Sequence, residues 1–238
     1  MSRVVEVVGL DPATGAEVCR EVLCHGEPPA AALSRAGWRA VGAPAFRSSA
    51  EDGVHRLAFL FAVEPATELV TAPGATVRDA DLVLGLGEAP VAVQRIAAYA
   101  LVRSDRGVLM TQFSEATNAA NTWGLPGGGI DPFEDPADAV VREVWEETGQ
   151  QVTGLAAVGL SSAHWLGRSP RGRLEDFHAV RVLFEASCPQ PGDPVVHDAG
   201  GTTLAAAWVR ADELPGLPMT DGWRGMLAGL GVPVDQAR

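Results

Sequence analysis

Residues 127–151 read GGGIDPFEDPADAVVREVWEETGQQ, and this stretch decides the fold of the chain. A glycine-rich turn is followed by one short predicted helix, in which Glu143, Glu146 and Glu147 fall at positions i, i+3 and i+4. At about 100° per residue, these positions share one helical face. Carboxylates packed this closely repel one another, so the arrangement costs stability unless a cation lies among them. A cluster of hard oxygen ligands suits Mg²⁺ or Mn²⁺.

Both ends of this helix are defined by the same stretch. Asp135 suits the N-cap and Pro136 fits the first helical position, whereas Gly149 is placed to adopt the left-handed conformation after the last turn. The spacing also predicts an apolar stripe opposite the carboxylates, formed by Ala137, Val140, Val141 and Val144. We therefore expect one face of the helix to pack and the other to bind.

The stretch resembles the Nudix box, G-x5-E-x7-R-E-U-x-E-E-x-G-U, in which U is a bulky aliphatic residue. Eight of the nine specified positions match, and they are Gly128, Glu134, Arg142, Glu143, Val144, Glu146, Glu147 and Gly149. The departure is Gln150, where the pattern has an aliphatic residue, and Val152 is the candidate to take over its packing role. Phe133 stands where many members carry glycine. Neither change removes a predicted ligand, so the resemblance identifies a Nudix domain.

The resemblance implies a Nudix α/β/α sandwich with a mixed sheet over residues 91–238. The hydropathy pattern fits this fold class, because mixed strands surround the box and a helix closes the chain. The predicted elements are strands at Arg95–Arg103, Val108–Phe113, Val152–Leu160, Phe177–Glu185 and Leu204–Val209, and a helix at Asp221–Leu230.

Residues 1–90 predict a small N-terminal α+β region of unassigned role. Its predicted elements are strands at Val4–Val8, Trp38–Val41 and Val54–Val63, helices at Ala16–Leu23 and Ala30–Ala36, and a strand or turn at Thr76–Leu86. His25 and His55 stand alone in the sequence, so we interpret each as a surface or hydrogen-bonded histidine. Nothing in this half has catalytic spacing.

Hydrolysis of a nucleoside diphosphate linked to another moiety is the activity that the resemblance implies, with Mg²⁺ or Mn²⁺ as cofactor. Cleavage of a phosphoanhydride requires neutralised phosphate oxygens and an oriented water. The expected metal ligands are Glu143, Glu146, Glu147 and the backbone carbonyl of Gly127. Glu146 is also expected to orient or deprotonate the water. Arg142 is expected to hold a box carboxylate, and Glu134 to brace the loop on the helix.

A long loop is predicted at Ser161–Asp176, and in many Nudix enzymes the base or an extra ligand comes from a loop outside the box. Glu175 and Asp176 are the candidates for that role. The loop also holds candidate substrate-binding residues, the arginines for phosphates and the rings for a base or sugar. They are Arg168, Arg171, Arg173, Trp165 and His164. For each of these side chains, simple exposure to solvent is the alternative.

Composition excludes several classes of partner. The net charge is −12 and every basic residue is arginine, which argues against non-specific nucleic-acid binding and against an anionic membrane surface. No basic-plus-apolar leader and no run of 18 apolar residues is present, so we expect a cytoplasmic protein. We interpret Cys19, Cys24 and Cys188 as reduced thiols. Cys19 and Cys24 with the adjacent His25 lack an evident fourth ligand, so no zinc site is predicted there.

The sequence is compatible with three functions. An enzyme for ADP-ribose or a nucleotide sugar is favoured, because ADP-ribose enzymes often carry an N-terminal region that builds a homodimer. Those enzymes also typically show a proline after the box, where this chain has Trp165, Leu166 and Gly167, so the substrate stays open. The alternatives are a hydrolase of oxidised nucleoside triphosphates and a Nudix sensor that binds a nucleotide without turnover. The intact carboxylate set favours turnover.

Overall fold

The computed structural model describes residues 2–68, 77–79, 81–198 and 200–234. The chain divides into two compact units. The first unit comprises Met1–Ala97, Ile130–Pro136 and Gly159–Val182, and the second unit comprises Ala98–Gly129, Ala137–Val158 and Leu183–Arg238.

The helices and strands follow one another in this order: β1 Ser2–Leu10, β2 Glu17–Val22, α1 Pro29–Arg35, β3 Trp38–Glu51, β4 Val54–Pro65, β5 Val77–Arg78, β6 Val91–Ser104, β7 Gly107–Phe113, β8 Trp123–Gly124, β9 Gly127–Gly129, α2 Pro136–Thr148, β10 Thr153–Arg168, β11 Leu174–Ser187, β12 Thr203–Val209, a 3₁₀ turn Leu214–Gly216 and α3 Asp221–Gly229. None of the helices in the described part of the chain combines the length and apolar character that crossing a bilayer requires.

The strands form two mixed sheets among the described residues. The smaller sheet has the order β2-β1-β4-β3, with β1 parallel to β4 and the outer pairs antiparallel. The larger sheet has the order β12-β7-β6-β11-β10-β5, with β8 paired to β7 and β9 paired to β6. Mixed sheets with few helices agree with the fold class predicted from the sequence.

Apolar strands supply the core of each unit. In the first unit, β1 and β4 carry fully buried side chains such as Val7 and Phe59, and α1 adds the buried Leu33. In the second unit, one cluster joins β6 and β7 with the C-terminal residues. Its buried members are Leu101, Val108, Met110, Leu125, Val209, Leu214, Trp223, Leu227, Val232 and Val234. Helix α3 is therefore fixed through Trp223 and Leu227.

Most of the predicted N-terminal elements are confirmed, and one is wrong. The strands predicted at Val4–Val8, Trp38–Val41 and Val54–Val63 lie within β1, β3 and β4, and the helix predicted at Ala30–Ala36 is α1. Residues Glu17–Val22 form strand β2 rather than a helix, because they pair with β1 in register, with Val8 opposite Arg20. Of Thr76–Leu86, Val77–Arg78 is a strand, and residues 76 and 80 lie outside the described residues.

The loop predicted at Ser161–Asp176 is also wrong. Strand β10 continues to Arg168 and β11 begins at Leu174, so the two strands form a hairpin with a short turn between them. The backbone N–H of Ser169 donates to the carbonyl of Arg173 at 2.9 Å and closes the turn. Polar residues, one proline and two glycines made this segment resemble a loop in the sequence.

Candidate functional site

Helix α2 places its three predicted ligands at different depths. Glu147 is only 4% exposed, whereas the side chains of Glu143 and Glu146 are 16% and 36% exposed. The prediction that the carboxylates and the apolar side chains lie on opposite faces of α2 is therefore wrong. Glu147 lies on the same face as the buried Val140 and Val144, because residues four and three apart share a face, whereas Val141 is 41% exposed.

Two hydrogen bonds fix the carboxylate of Glu147. The backbone N–H of Gly127 donates to its Oε2 at 2.9 Å, and the hydroxyl of Thr203 donates to its Oε1. Burial is the largest effect and raises the pKa of Glu147 to about 7, although these two hydrogen bonds oppose the rise. The negative charges of Glu143 and Asp198 add to it. A cation beside Glu147 would offset both the cost of burying its negative charge and its repulsion by the neighbouring carboxylates.

Arg142 holds box carboxylates, as predicted, and it also links them to the glycine turn. One guanidinium nitrogen donates to Glu143 Oε1 at 2.9 Å and to Glu146 Oε2 at 3.1 Å. The other donates to the carbonyl of Gly129 at 3.1 Å. These bonds fix the orientation of both carboxylates, so Arg142 acts as a positioning residue.

The glycines of the turn are needed because side chains would not fit. Gly127 has a φ of 142°, and a Cβ there would collide with the carbonyl oxygen of Ala98. A Cβ on Gly128 would lie 2.6 Å from Glu143 Oε1. The turn therefore brings backbone groups directly against the carboxylate of Glu143.

In the first unit, the loop before α2 explains why Phe133 is tolerated. Phe133 has a φ of 66°, in the left-handed region that favours glycine. Its backbone N–H donates to Nδ1 of the buried His55 at 3.1 Å, and the Oγ of Ser48 lies 3.0 Å from His55 Nε2. The carboxylate of Glu134 accepts from the N–H of Asp131 at 2.8 Å, which braces the loop. His55 is thus a hydrogen-bonded histidine, as predicted.

Gln150 replaces aliphatic packing with hydrogen bonds. Its side chain is buried, and Oε1 accepts from the backbone N–H of Gly192 at 2.9 Å while Nε2 donates to the carbonyl of Thr148 at 3.2 Å. Val152 is buried as well. The departure from the box pattern is therefore accommodated, and it ties the end of α2 to the loop that precedes β12.

That loop holds functional candidates that the sequence did not reveal. The backbone N–H groups of His197 and Asp198 donate to the carbonyl of Glu146, at 2.7 Å and 3.1 Å. The ring of His197 stacks on Trp145 at a centroid separation of 4.5 Å. Thr203, which binds Glu147, follows in β12. The sequence signal was a histidine next to an aspartate in a segment rich in proline and glycine, which gives no indication of its partner.

The residues predicted from the β10–β11 segment lie in the first unit, and two of the three arginines have carboxylate partners. Arg168 donates to both oxygens of Glu88, at 2.8 Å and 2.7 Å, and Arg173 donates to Oε1 of the buried Glu175. Arg171 is exposed in the turn. Trp165 stacks on Phe177 across the hairpin, with ring centroids 4.6 Å apart. Glu143, Glu146, Glu147 and Gly127 all belong to the second unit.

Comparison with known proteins places this geometry in a family. The model of the NUDIX domain matches residues 93–228. An RNA pyrophosphohydrolase of Bartonella henselae is 34% identical over 89 residues, which are 33% of this chain and 51% of that protein. The nucleoside diphosphate-linked moiety X motif 6 protein of Mus musculus is 31% identical over 144 residues, 56% of this chain and 42% of that protein.

A MutT NUDIX hydrolase structure from Burkholderia pseudomallei is 26% identical and covers 57% of this chain and 97% of that chain, with a TM-score of 0.46. The chain spans about half the length, or less, of the curated relatives it matches. Because the family model matches more than half of the chain and includes the carboxylate helix, this chain belongs to the Nudix family.

Proposed function

We propose that this chain is a metal-dependent Nudix pyrophosphohydrolase that cleaves a phosphoanhydride bond in a nucleoside diphosphate linked to another moiety. The observation that carries the proposal is the complete carboxylate set on α2, with Glu147 buried and Glu143 and Glu146 bound by Arg142. A sensor without turnover has no need to keep all three carboxylates oriented in this way.

The donor set fits a divalent cation. All its side chains offer oxygen, the kind of ligand that Mg²⁺ and Mn²⁺ prefer, and the burial of Glu147 beside Glu143 leaves negative charge to be neutralised. The residues that would hold the ion are Glu143, Glu146, Glu147 and the carbonyl of Gly127. An ion held there supplies positive charge for the phosphate oxygens of the substrate.

The remaining chemistry falls to the side chains. Glu146 is the most exposed of the three carboxylates, so we assign it to orienting the attacking water and accepting its proton. We propose Glu175 as a second acidic group in catalysis. The proposed substrate-binding residues are Arg168, Arg171, Arg173 and Trp165. Arg168 and Arg173 would exchange their carboxylate partners for phosphate, because a guanidinium can bind either anion through two parallel hydrogen bonds.

The favoured substrate class is ADP-ribose or a nucleotide sugar. Oxidised nucleoside triphosphates are the alternative within the family, and the name of the Bartonella henselae relative, an RNA pyrophosphohydrolase, adds RNA as a further candidate. The net charge of −12 and the absence of lysine weigh against a long polyanion as substrate. We further propose that the protein works as a homodimer with small-molecule nucleotide derivatives as its ligands.

A substrate panel with Mg²⁺ tests the proposal. It contains ADP-ribose, nucleotide sugars, an oxidised nucleoside triphosphate and a triphosphorylated RNA, and products are separated by chromatography. We expect turnover of ADP-ribose or a nucleotide sugar that stops on addition of a chelator. Binding of a panel member without any turnover, measured by calorimetry, would establish the sensor instead.

The first mutational prediction concerns Glu146. We expect Glu146→Gln to lower kcat on the order of 10²–10⁴-fold, because the variant keeps the shape of the side chain but loses the charge that holds the ion and accepts the proton. Glu185→Gln is the matched control, because Glu185 is exposed and makes a surface ion pair with Arg103. Equal kcat values in the two variants would contradict the role of Glu146.

A further inference from the structure

Two histidines and an aspartate from distant parts of the sequence meet in the first unit. His25 follows β2, His164 lies on β10 and Asp176 lies on β11. One ligand atom from each lies within 4.8 Å of the other two. We call this group the His–Asp cluster. His25, interpreted from the sequence as standing alone, therefore has two potential partners that only the fold brings to it.

Asp176 is the centre of the cluster. Its Oδ1 lies 3.5 Å from His25 Nε2 and is hydrogen-bonded to His164 Nε2. Two ligands that bind one tetrahedral ion at 2.0–2.2 Å are separated by about 3.4 Å, so the first distance already suits a shared ion. At the second contact, an ion would take the place of the proton that the imidazole and carboxylate now share.

The donor set selects a class of metal. Two imidazoles and one carboxylate suit Zn²⁺, Co²⁺ or Ni²⁺, whereas Mg²⁺ prefers oxygen ligands alone. The side chains of His25 and Asp176 are 30% and 32% exposed, so an ion has access from solvent. A fourth coordination position would be filled by water, as in sites with three protein ligands.

The surroundings hold the ligands in place. Gly26 has a φ of 75°, and a Cβ there would lie 2.6 Å from the ring of His164, so the backbone packs directly on that imidazole. The buried His178 lies behind the cluster, with its ring centroid 5.7 Å from that of His25. Both of its ring nitrogens have partners at 3.0 Å, Gln94 Nε2 and Ser162 Oγ. His178 thus forms a wall of the cluster rather than a ligand.

We propose that His25, His164 and Asp176 form a binding site for a divalent transition-metal ion, with Zn²⁺ as the best fit. The site uses none of the α2 carboxylates and does not depend on the proposed hydrolase activity. A bound ion would cross-link the β2–α1 connection to the β10–β11 hairpin and so stabilise the first unit.

Zinc binding in the presence of excess Mg²⁺ tests the proposal, because Mg²⁺ occupies oxygen-only sites and leaves imidazole sites to Zn²⁺. Equilibrium dialysis of the full chain is expected to show one Zn²⁺ per chain. Co²⁺ in place of Zn²⁺ is expected to give visible absorption bands of a nitrogen-ligated ion. Zn²⁺ should also raise the midpoint of thermal unfolding.

Ligand variants give the decisive comparison. We expect His25→Gln and Asp176→Asn each to weaken Zn²⁺ binding by at least about 100-fold and to abolish the thermal shift, because even outer hydrogen-bond partners of metal ligands contribute up to that factor. Cys24→Ser is the control, because Cys24 precedes His25 but its thiol contacts the carbonyl of Val22, and it should bind Zn²⁺ like the wild type.

Either of two results would overturn the proposal. One is the absence of Zn²⁺ binding by the wild type in excess Mg²⁺, which would leave the cluster as a hydrogen-bonded group only. The other is undiminished binding by His25→Gln, which would place the ion elsewhere. His25 lies at the surface, so circular dichroism is expected to show a folded His25→Gln protein even if Asp176→Asn does not fold.

Discussion

At the scale of single residues, the loop between β9 and α2 (residues 130–135), which we call the box loop, depends on a side chain from a distant part of the sequence. Phe133 adopts a left-handed backbone, and its N–H is satisfied by the buried His55, 78 residues earlier in the chain. Because Nδ1 of His55 accepts this bond, the ring must be neutral. Burial, followed by the charge of Arg3, lowers the pKa of His55 from its ordinary value. The strain at Phe133 is therefore coupled to the protonation of one histidine.

This coupling predicts a dependence of stability on pH. An unfolded histidine has a pKa of about 6.5, so at lower pH the unfolded chain binds a proton that the folded His55 resists. The contribution of His55 is complete above that value and decreases as the pH falls below it. We expect the free energy of unfolding, measured by urea denaturation, to fall more steeply below about pH 6.5 in the wild type than in His55→Asn. The asparagine keeps an acceptor for Phe133 but does not titrate.

A third variant separates the effect of the hydrogen bond to Phe133 from the effect of the titration of His55. His55→Ala leaves the N–H of Phe133 without its acceptor, which should lower the free energy of unfolding by about 1–3 kcal/mol at neutral pH. If wild type and His55→Asn gave parallel pH profiles, the titration of His55 would have no role in stability.

At the scale of elements, local signals in the sequence predicted helix α2 well. Pro136 and Gly149 mark the start and the end of α2 as expected. Proline at the first helical position and a left-handed glycine after the last turn both act locally, within one turn of the helix. The exposed segments were harder. Strand β2 is formed by pairing with β1, and β10 and β11 pair with each other and with β5 and β6 in the larger sheet. This pairing overrides the local helix preference of residues such as Ala16–Leu23.

The same reasoning explains what was missed at the candidate site. The three α2 carboxylates follow a periodic motif, so their positions could be read from spacing alone. Thr203 hydrogen-bonds to Glu147 and Asp198 acts on it through its charge, but neither residue has such a spacing. They act on Glu147 only because β12 and its preceding loop belong to the same unit as α2. The buried position of Glu147 was also hidden, because a glutamate in a helix is normally expected on the solvent side.

Helix α3 gives a prediction about glycine in an element. Gly225 lies inside this helix, and a Cβ there would meet no atom within 4 Å. Gly225→Ala should therefore raise the free energy of unfolding by about 0.5–1 kcal/mol, since alanine loses less backbone entropy on folding. Gly107 is the opposite case, with a φ of 123° and a Cβ that would collide with the carbonyl oxygen of Val209. Urea denaturation should show Gly107→Ala destabilised, and a loss of stability in Gly225→Ala would contradict the account.

At the scale of the whole molecule, the N-terminal residues share a compact unit with the loop that leads into α2. The guanidinium of Arg3 donates to the carbonyls of Ile130 and Asp131, at 2.7 Å and 3.1 Å. His55 reaches Phe133 in the same loop. We propose that residues 1–90 form a region of their own in the sequence, preceding a Nudix domain at 91–238, and that one role of this region is to support the box loop.

This role predicts the effect of removing one distant side chain. Arg3→Met keeps much of the length of the side chain but removes both bonds to the loop carbonyls, so the free energy of unfolding should fall by about 1–2 kcal/mol. The matched control is Arg210→Met, because the side chain of Arg210 makes an exposed ion pair with Asp212, and such pairs contribute little. Proteolysis under native conditions supplies the second measurement. If Arg3 supports the loop locally, Arg3→Met should be cleaved faster within residues 130–134 than the control. Equal cleavage of the two variants would show that the loop is held without the N-terminal region.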